Sequence, residues 1–411
     1  MSSDLTLPLA EDDTPEAIGL ALASIRRHLG MEVAYVSEFV EGRSVFREVD
    51  APGLEHMIKV GDSTSLDDVY CRHILEGRLP QLMADTGDFP IAAAMPITAA
   101  VPIGAHMSVP IRLADGEAFG MFCCLSPHAN ASLNERDLGV MRVFAEMAAG
   151  QIGRRKQAEK RALEKIALVD RTVANNEFAI LLQPIWEFGA DQPCGFEALS
   201  RFSQMPYRTP DRWFKEAAEV GCGVRLELAA LAEALKLLSE LPEETYLSVN
   251  ASPATIISAE LPALLAPYRL DRIVLEVTEH SLIDDYTALE AALAPLRCRG
   301  LRLAVDDAGA GYSSFSHILR LAPDMIKLDM ALTRSIDTDL SRRALASAMI
   351  VFARDTHSVV VAEGVETDAE WQTLHQLGIQ RGQGYFLGRP ESLECAQRLS
   401  RGETESSLLA G

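Results

Sequence analysis

FEALSR (196–201) is the first of six apolar runs that end in polar, mostly acidic residues, and these runs decide the fold. The other five are YLSVNAS (246–252), IVLEVTEH (273–280), LAVDDAG (303–309), MIKLD (325–329) and VVVAEGVE (359–366). Runs of this length that are rich in Val, Ile and Leu are typical of strands buried in a parallel sheet. Charged residues at the ends of such strands are not core residues, and at one mouth of a barrel they form a catalytic and metal site. The stretch 196–366 therefore predicts a metal-dependent enzyme.

The segments around these runs predict the fold class, because strand-like and helix-like segments alternate from Phe178 onward. The helical segments include 225–241 and 341–356. The strand candidates are residues 178–188, 194–202, 245–251, 272–279, 302–307, 325–330, 359–365 and 383–388. Eight strands interleaved with helices over about 230 residues predict an α/β fold, a (β/α)8 TIM-like barrel.

The N-terminal third has a different order of elements. A helix is predicted to be capped by Thr14, to start at Pro15 and to end at Gly30. The elements that follow are a hairpin at 31–49 turning at Glu41-Gly42, a helical segment at 65–77, a hairpin at 108–125 turning at Asp115-Gly116, and a helix from near Asn134. This order predicts a small α+β domain.

A helical linker is predicted from Asn134 to about Asn176, with a highly charged, helix-prone middle at 154–165. Its apolar residues fall mostly at three- and four-residue steps: Leu138, Met141, Ala145, Ala148, Ile152, Leu163 and Ile166. Two interpretations stay open. The segment is either a signalling helix that pairs with its twin in a dimer or a solvated single helix.

Composition excludes several classes of protein. The net charge of −21 argues against binding long nucleic acid through phosphate contacts. Seven cysteines without a C-x-x-C spacing indicate reduced thiols rather than a disulfide framework. The acidic N-terminus is not expected to be a signal peptide, and four prolines interrupt the longest uncharged stretch, 89–111. We expect a soluble, cytoplasmic protein without membrane insertion.

The motifs of the second half, in their order, resemble those of EAL-domain cyclic-di-GMP phosphodiesterases over about residues 171–400. They are Glu197-Ala198-Leu199 with Ser200 and Arg201, Ser248-Val249-Asn250, Glu276-Val277-Thr278-Glu279, Asp306-Asp307, Lys327-Leu328-Asp329, Glu363-Gly364-Val365-Glu366 and Gln383-Gly384-Tyr385. The resemblance implies hydrolysis of cyclic-di-GMP to linear pGpG in a homodimer formed through the EAL domain and the linker helix.

The N-terminal region resembles a GAF sensor domain over about residues 10–150, on its element order and on DVYCRHILEGRLPQLMADT (68–86). An unrelated α+β regulatory or dimerisation domain is the alternative. The GAF ligand stays unknown from the sequence, and Cys71 is expected to be a buried small residue rather than a bilin attachment site. The predicted domains are a sensor at 1–135, a linker at 136–172 and a barrel at 173–405.

The chemistry of the motif residues agrees with the resemblance. Glu197, Asn250, Glu276, Asp306 and Asp307 supply only oxygen ligands, which suit Mg²⁺ or Mn²⁺ rather than Zn²⁺. Converging carboxylates would repel one another without metal, whereas two ions about 3.5–4 Å apart would neutralise them and clamp a phosphoryl displacement.

The family's residue roles carry over to matching positions. Glu197, Asn250, Glu276 and Asp306 are implied to hold one ion, and Asp306 and Asp307 help to hold the second. Glu363 is the implied general base, and Lys327 orients the water or steadies the developing charge. The implied substrate-binding residues are Gln183, Leu199, Arg201, Asp329 and Gln383, and Glu279 is implied to anchor a loop.

One stretch departs from the family. Where the family has Asp-Phe-Gly-Thr-Gly, this chain has Asp307-Ala308-Gly309-Ala310-Gly311, so activity or its coupling to dimerisation is in doubt there. Two rival functions remain: a catalytically silent receptor that binds cyclic-di-GMP, and a scaffold that signals by protein contacts alone. The intact metal ligands and base favour the enzyme. No signature of a second catalytic domain, such as GGDEF, occurs.

Overall fold

The computed structural model describes residues 15–278, 283, 285–308 and 314–403. The chain folds into two compact units, and the boundary between them lies between Leu163 and Glu164. None of the helices in these described ranges has both the length and the apolar character needed to cross a membrane.

The N-terminal unit is an α+β structure, as predicted. Its elements are α1 (Pro15–Leu29), β1 (Val33–Val40), β2 (Arg43–Asp50), β3 (Ser63–Ser65), α2 (Tyr70–Leu75), β4 (Leu82–Met83), α3 (Pro90–Ala94), α4 (Pro96–Ala100), β5 (Ala105–Arg112), β6 (Ala118–Ser126) and α5 (Glu135–Ala174). The strands form one antiparallel sheet in the order β3-β2-β1-β6-β5-β4.

Local sequence explains the hairpin turns of this sheet. Glu41 and Gly42 join β1 to β2 with φ angles of 48° and 75°, which are the left-handed values that a tight two-residue hairpin requires. Gly116 has a φ of 86° in the turn before β6. Both predicted turns are confirmed. Thr14, the predicted cap of α1, lies outside the described residues.

The first half of α5 corrects an expectation about the linker. Leu138, Met141, Ala145 and Ala148 are buried in the core cluster of the N-terminal unit, together with residues of α1 and of the sheet. This part of the apolar stripe is therefore used within one chain and is not free to pair with a twin. Sequence periodicity shows that a helix has an apolar face but not which surface covers it.

The second unit is a closed barrel. Its elements are β7 (Phe178–Glu187), β8 (Gly195–Phe202), α6 (Pro210–Glu219), α7 (Gly223–Leu237), β9 (Tyr246–Asn250), α8 (Pro253–Ile257), α9 (Glu260–Leu265), β10 (Ile273–Thr278), α10 (Tyr286–Cys298), β11 (Arg302–Ala308), α11 (Ser314–Leu321), β12 (Met325–Leu328), α12 (Met330–Thr333), α13 (Leu340–Asp355), β13 (Val359–Ala362), α14 (Asp368–Gln376), β14 (Arg381–Gly382) and α15 (Leu393–Ser400). The strand order around the barrel is β7-β8-β9-β10-β11-β12-β13-β14, and β14 pairs with β7 to close it.

Two features of the barrel differ from a regular parallel one. β7 runs antiparallel to both of its neighbours, because it forms a hairpin with β8 instead of crossing over through a helix. The prediction of a strand at 383–388 is wrong. The last strand is β14, and the backbone then turns, with the amides of Leu387 and Gly388 donating to the carbonyl of Gly384.

Candidate active site

The functional side chains stand one layer above an apolar floor inside the barrel. Successive residues of a strand point to opposite faces, so residues two apart share a face. A buried cluster includes Val274, Ala304, Met325 and Val361, which alternate with strand residues that pack in the main core. Two residues further along the same strands stand the four site residues Glu276, Asp306, Lys327 and Glu363. Each apolar run ends just before the mouth of the barrel, so the next inward-facing residue is polar and lies at the mouth.

Lys327 is the centre of the site. Its side chain is only 2% exposed, and its Nζ lies 2.6 Å from Glu363 Oε1 and 2.7 Å from Glu276 Oε2. The same ammonium lies 3.3 Å from Asp306 Oδ1 and 3.4 Å from Glu197 Oε2. One buried cation therefore contacts four carboxylates that come from four different strands or strand ends.

Amide side chains hold Glu197 from its other side. Asn250 Nδ2 donates to Glu197 Oε1 at 3.1 Å, and Gln383 Nε2 donates to Glu197 Oε2 at 2.6 Å. Gln383 Nε2 also donates to Gln183 Oε1 at 2.9 Å, and Gln183 Nε2 donates to the Gly388 carbonyl at 3.0 Å. The predicted ligands Glu197 and Asn250 are thus tied to two predicted substrate residues.

Asp306 and Asp307 face the same mouth because of a bulge in β11. Between Val305 and Ala308 the register with β12 shifts, so that β11 carries one more residue than the stretch of β12 between Ile326 and Leu328. Asp307 has a left-handed φ of 58°, and its amide donates to Asp306 Oδ1 at 3.0 Å. Bulges next to active sites re-aim side chains, and left-handed backbone in residues other than glycine concentrates at functional sites.

The bulge also brings these two acids to the predicted base. Oxygen atoms of Asp306, Asp307 and Glu363 all lie within 4.8 Å of one another, which is close enough for one metal ion to bind all three. Sequence reasoning assigned the two aspartates to metal and Glu363 to a different role. The geometry joins the three in one group.

Three carboxyl groups of the site have raised pKa values, so the site favours the binding of protons or cations. Burial, with the charges of Asp306 and Glu197, raises the pKa of Glu363 to about 8 despite Lys327. Burial, Asp306 and Asp329 raise the pKa of Asp307 to about 6. Burial and Glu197 raise the pKa of Glu276 well above its usual range. These carboxylates repel one another, and any nearby positive charge would relieve that repulsion.

Two groups of the site have pKa values that favour their charged forms. Burial opposes the charge of Lys327, but the surrounding acids outweigh burial and raise the pKa of its ammonium well above the usual value. Burial likewise opposes the ionised form of Glu197, but Lys327, Gln383 and Asn250 outweigh burial and lower the pKa of that carboxyl. Lys327 and Glu197 are therefore two groups of the site whose charged forms are favoured by their surroundings.

The remaining predicted substrate residues lie around this centre. Leu199 and Arg201 follow Glu197 at two-residue steps on β8, so they share its face, and both are partly exposed. Asp329 directly follows β12 and caps α12 by accepting a hydrogen bond from the amide of Ala331 at 2.7 Å. Glu279, the predicted loop anchor, lies outside the described residues, as does the segment 309–313.

The sequence analysis gave no role to two side chains that hold parts of the site in place. The Ser248 hydroxyl donates to Glu276 Oε1, which leaves Oε2 to Lys327. Glu370 accepts from the amides of Ser335, Glu366 and Thr367 at 2.8–3.0 Å and so fixes the segment after Glu363. A signal for Glu370 was present, because Thr367 and Glu370 have the spacing of a helix capping box, which the structure contains.

Gln383 depends on the glycine that follows it. A Cβ on Gly384 would lie 2.2 Å from the backbone nitrogen and oxygen of Val365, so no side chain fits there. This close approach allows two backbone hydrogen bonds. The backbone N–H of Gln383 donates to the backbone carbonyl of Ala362 at 2.8 Å, and the backbone N–H of Val365 donates to the backbone carbonyl of Gln383 at 3.1 Å. The segments after β13 and β14 are therefore locked together, and this lock places Gln383 beside Glu197.

The donor set fits hard divalent cations. Four carboxylates contact one ammonium, and Asp307 lies beside two of these acids. The fully ionised group therefore carries an excess of negative charge that buried sites do not tolerate alone. All predicted ligand atoms are oxygens, which Mg²⁺ and Mn²⁺ prefer. Lys327 occupies part of the space between the acids, and the raised pKa values mark where further positive charge would bind.

Comparisons with known proteins agree with the fold. The EAL domain family model matches residues 167–390, and the GAF domain model matches residues 13–152. The chain is 31% identical to the probable cyclic di-GMP phosphodiesterase PdeA of Escherichia coli K12 over 45% of this chain and 27% of PdeA. It is 26% identical to the cyclic di-GMP phosphodiesterase PdeF of the same organism over 56% of this chain and 32% of PdeF.

A solved structure, the PaMucR phosphodiesterase in complex with c-di-GMP, matches with a TM-score of 0.51 and 27% identity, over 56% of this chain and 99% of that one. The matches to PdeA and PdeF cover no more than about a third of those proteins. Because the EAL model covers more than half of this sequence, the chain belongs to the EAL-domain family.

Proposed function

We propose that this protein hydrolyses one phosphodiester bond of cyclic-di-GMP and releases linear pGpG. The observation that carries the proposal is the contact of Lys327 with Glu363 and three further carboxylates at the mouth of the barrel. This is the arrangement that a base and a charge-stabilising group need beside a phosphate. The names of PdeA and PdeF and the ligand in the PaMucR structure support cyclic-di-GMP as the substrate.

We further propose that two divalent ions, Mg²⁺ or Mn²⁺, complete the site. Glu197, Asn250, Glu276 and Asp306 would hold one ion, and Asp306 and Asp307 would help to hold the second. When bound, such ions supply an activated water and neutralise charge on the phosphate. The oxygen-only donors and the raised pKa values of Glu363 and Asp307 support this assignment.

Glu363 and Lys327 have different roles in the proposed reaction. Glu363 accepts one proton from the attacking water while the water oxygen bonds to phosphorus and the bond from phosphorus to the 3′ oxygen breaks. The 3′ oxygen takes up a proton from solvent as it leaves, and Glu363 afterwards releases its proton to solvent, so atoms and charge balance. Lys327 Nζ, 2.6 Å from Glu363 Oε1, holds the base in place and faces the charge that develops on the phosphate.

Substrate contacts are assigned to residues around this centre. Arg201 is suited to grip a phosphate, because its guanidinium offers a planar fork of donors. Gln183, Leu199, Asp329 and Gln383 would line the rest of the dinucleotide site, and Glu279 would anchor the neighbouring loop. The hydrogen bonds of Gln383 to both Glu197 and Gln183 support a coupling between substrate binding and metal binding.

The second candidate is a receptor that binds cyclic-di-GMP without turnover. The departure at Ala308 favours it, because that position differs from the family pattern next to Asp307. The intact set of ligands, base and lysine favours the enzyme, since a receptor has no need of a base paired to an ammonium.

One assay separates the two. The full chain is incubated with cyclic-di-GMP and Mg²⁺ or Mn²⁺, and pGpG is measured by chromatography. Glu363→Gln should lower kcat by about 10²- to 10⁴-fold while substrate affinity persists, because it removes the proposed base and keeps the size and shape of the side chain. The matched control is Glu260→Gln, an exposed acid on α9, and it should leave kcat unchanged. Binding without turnover by the unmutated protein would establish the receptor instead.

We also propose how the chain is organised. Residues 1–135 would sense a signal, residues 136–172 would transmit it, and residues 173–405 would carry out hydrolysis in the cytoplasm as part of a homodimer. The long helix α5, which begins in one compact unit and ends in the other, supports transmission through a helix. Sedimentation of the full chain tests the dimer, and a single species at the monomer mass of 44.8 kDa would contradict it.

A further inference from the structure

The side chain of Gln204 joins the end of α5 to the loop that follows β8. Its Nε2 group donates to the backbone carbonyl of Glu177 at 2.6 Å, to Glu177 Oε2 at 3.1 Å and to Thr172 Oγ1 at 3.4 Å. Thr172 is a buried residue in the last turn of α5, and Glu177 ends the short turn, 175–177, that leads from α5 into β7. One side-chain amide therefore contacts both the helix end and the entry of the chain into the barrel.

All three atoms that Gln204 contacts at this joint are hydrogen-bond acceptors. Hydrogen bonds from Asn175 and Gln204 lower the pKa of Glu177, so this carboxylate is ionised near neutral pH and offers acceptor oxygens only. Position 204 therefore requires a donor, and a carboxylate of the same shape would repel Glu177. The contact depends on the donor and not only on the size of the side chain.

The last residues of α5 are held to the barrel by further contacts, and they belong to the same compact unit as the barrel. Lys165 Nζ lies 2.7 Å from Glu219 Oε2 on α6. Asp170 forms an ion pair with Arg225 on α7. The end of α5 thus has a defined place against the two helices that follow β8, and Gln204 extends this contact to the loop 203–209 between β8 and α6.

This loop begins directly behind Arg201, the residue to which we assign a phosphate of the substrate. Within the described ranges the guanidinium of Arg201 makes one hydrogen bond, from Nη1 to the backbone carbonyl of Ser200 at 2.9 Å. The next residue, Phe202, is buried, and its ring stacks on Trp213 with 4.7 Å between ring centroids. Most donors of Arg201 are therefore unused, and the backbone that carries them is fixed by Phe202 and, two residues later, by Gln204.

We propose that Gln204 is a positioning residue, which links the last turn of α5 to the phosphate contact of Arg201. Ordering a long side chain on binding costs conformational entropy, so a guanidinium that is already held in place binds more tightly. A shift of the helix end breaks the Gln204 contact, frees the end of β8 and lowers the affinity for the dinucleotide. The inference rests on the proposed function, and it adds a route by which a change in α5 reaches the substrate.

Calorimetry on the full chain tests the effect on binding, with cyclic-di-GMP and Mg²⁺ and with Glu363→Gln in every protein so that the substrate is not consumed. Gln204→Leu and Gln204→Glu keep the size of the side chain and remove the donor. Each should lower the affinity by about 2- to 12-fold, which is the value of one hydrogen bond. Unchanged affinity in both variants would overturn the proposal.

The matched control is Gln397→Leu. Gln397 Nε2 also donates to a backbone carbonyl, that of Glu240, at 3.0 Å, but it does so between α15 and the end of the segment after α7. We expect this variant to bind cyclic-di-GMP as tightly as the parent protein. A loss equal to that of Gln204→Leu would show a general effect on the barrel and would overturn the proposal.

A double-mutant cycle tests whether Gln204 acts through Arg201. Arg201→Met should lower the affinity by about 10- to 150-fold, the value of a hydrogen bond to a charged group. In that background Gln204→Leu should lower the affinity by less than about 2-fold, because the phosphate contact is already lost. The same loss in both backgrounds would show that Gln204 does not act through Arg201 and would overturn the proposal.

Hydrogen exchange tests the joint without substrate. Gln204→Leu should speed exchange in peptides that cover 172–177 and 199–204 relative to the rest of the barrel. Should this variant not fold, Thr172→Val, which removes one acceptor and keeps the shape, should affect the same peptides. Unchanged exchange would overturn the inference even if the protein hydrolyses cyclic-di-GMP. A protein that binds no cyclic-di-GMP, with or without Glu363→Gln, would refute the proposed function, and exchange would then decide the positioning role by itself.

Discussion

Replacement of Lys327 by Met tests whether one ammonium holds the four acids of the candidate site together. The substitution keeps most of the side-chain volume and removes the one positive charge that, among the described residues, contacts Glu197, Glu276, Asp306 and Glu363 within 3.4 Å. Removing one partner from a buried ion pair costs about 3–5 kcal/mol. In a domain of this size each kcal/mol shifts Tm by about 2–4 °C, so we expect a loss of about 6–20 °C at pH 8 in the presence of EDTA.

The measurement can be made on the full chain. All three tryptophans, Trp186, Trp213 and Trp371, lie in the barrel unit, so their fluorescence reports the unfolding of the barrel. The control is Lys165→Met, which removes a surface ion pair of 2.7 Å between Lys165 Nζ and Glu219 Oε2. Pairs with this exposure contribute about 0–1 kcal/mol, so the control should lower Tm by no more than about 4 °C.

The pH dependence of the loss in Tm distinguishes an electrostatic effect of Lys327→Met from an effect on packing. A carboxyl with a raised folded-state pKa contributes stability that is fully present below its unfolded pKa and is lost as pH rises through the folded pKa. In Lys327→Met the acids lose their cation, so their folded pKa values rise further and the loss of Tm should shrink as pH falls from 8 to 5.5. A loss that is independent of pH, or no larger than that of Lys165→Met, would refute the electrostatic account.

Three further outcomes are expected. Because Glu363 and Asp307 have pKa values raised to about 8 and about 6, added Mg²⁺ should raise the Tm of the barrel more at pH 8.5 than at pH 5.5, and an equal shift would contradict a carboxylate site. His106 is neutral when folded, so the N-terminal unit should lose about 1.4 kcal/mol relative to His106→Phe when pH falls from 7.5 to 5.5, measured by circular dichroism. Ala308→Phe, which moves the chain toward the family pattern, should cost about 1–3 kcal/mol because Ala308 is fully buried, and an unchanged Tm would show spare room there.

The sequence predicted the parts of this protein that follow from local periodicity. Each inward-facing acid, from Glu276 to Glu363, ends an apolar run whose alternate residues build the barrel floor and the outer core. The hairpin turn at Glu41-Gly42 is another example, since two residues that tolerate left-handed backbone between alternating strands leave few other conformations. These features need no knowledge of distant neighbours.

What escaped prediction depends on pairing between distant segments. The bulge directs the side chains of Asp306 and Asp307 toward the same mouth of the barrel. It arises from the register of β11 against β12, and the sequence around Asp307 does not predict it. The antiparallel direction of β7 is set by its hairpin and by its closing pair with β14. Burial of Leu138 and Met141 in the N-terminal unit depends on α1 and the sheet, which an apolar stripe alone cannot specify.

The position of Lys327 bears on how such a site can exist before it binds metal. Four carboxylates converging without compensation would destabilise the fold by several kcal/mol per charge. One ammonium in contact with all four reduces this repulsion, so the ligands can be held in place in the folded protein. It does not cancel the repulsion, because Glu276, Glu363 and Asp307 keep raised pKa values. The remaining negative charge would be the driving force for the proposed cation binding, and that binding would release protons from these same groups. A lysine in this place therefore stabilises the metal-free fold at a cost in affinity for the proposed metal, whereas a neutral residue would favour metal binding at the expense of the metal-free fold.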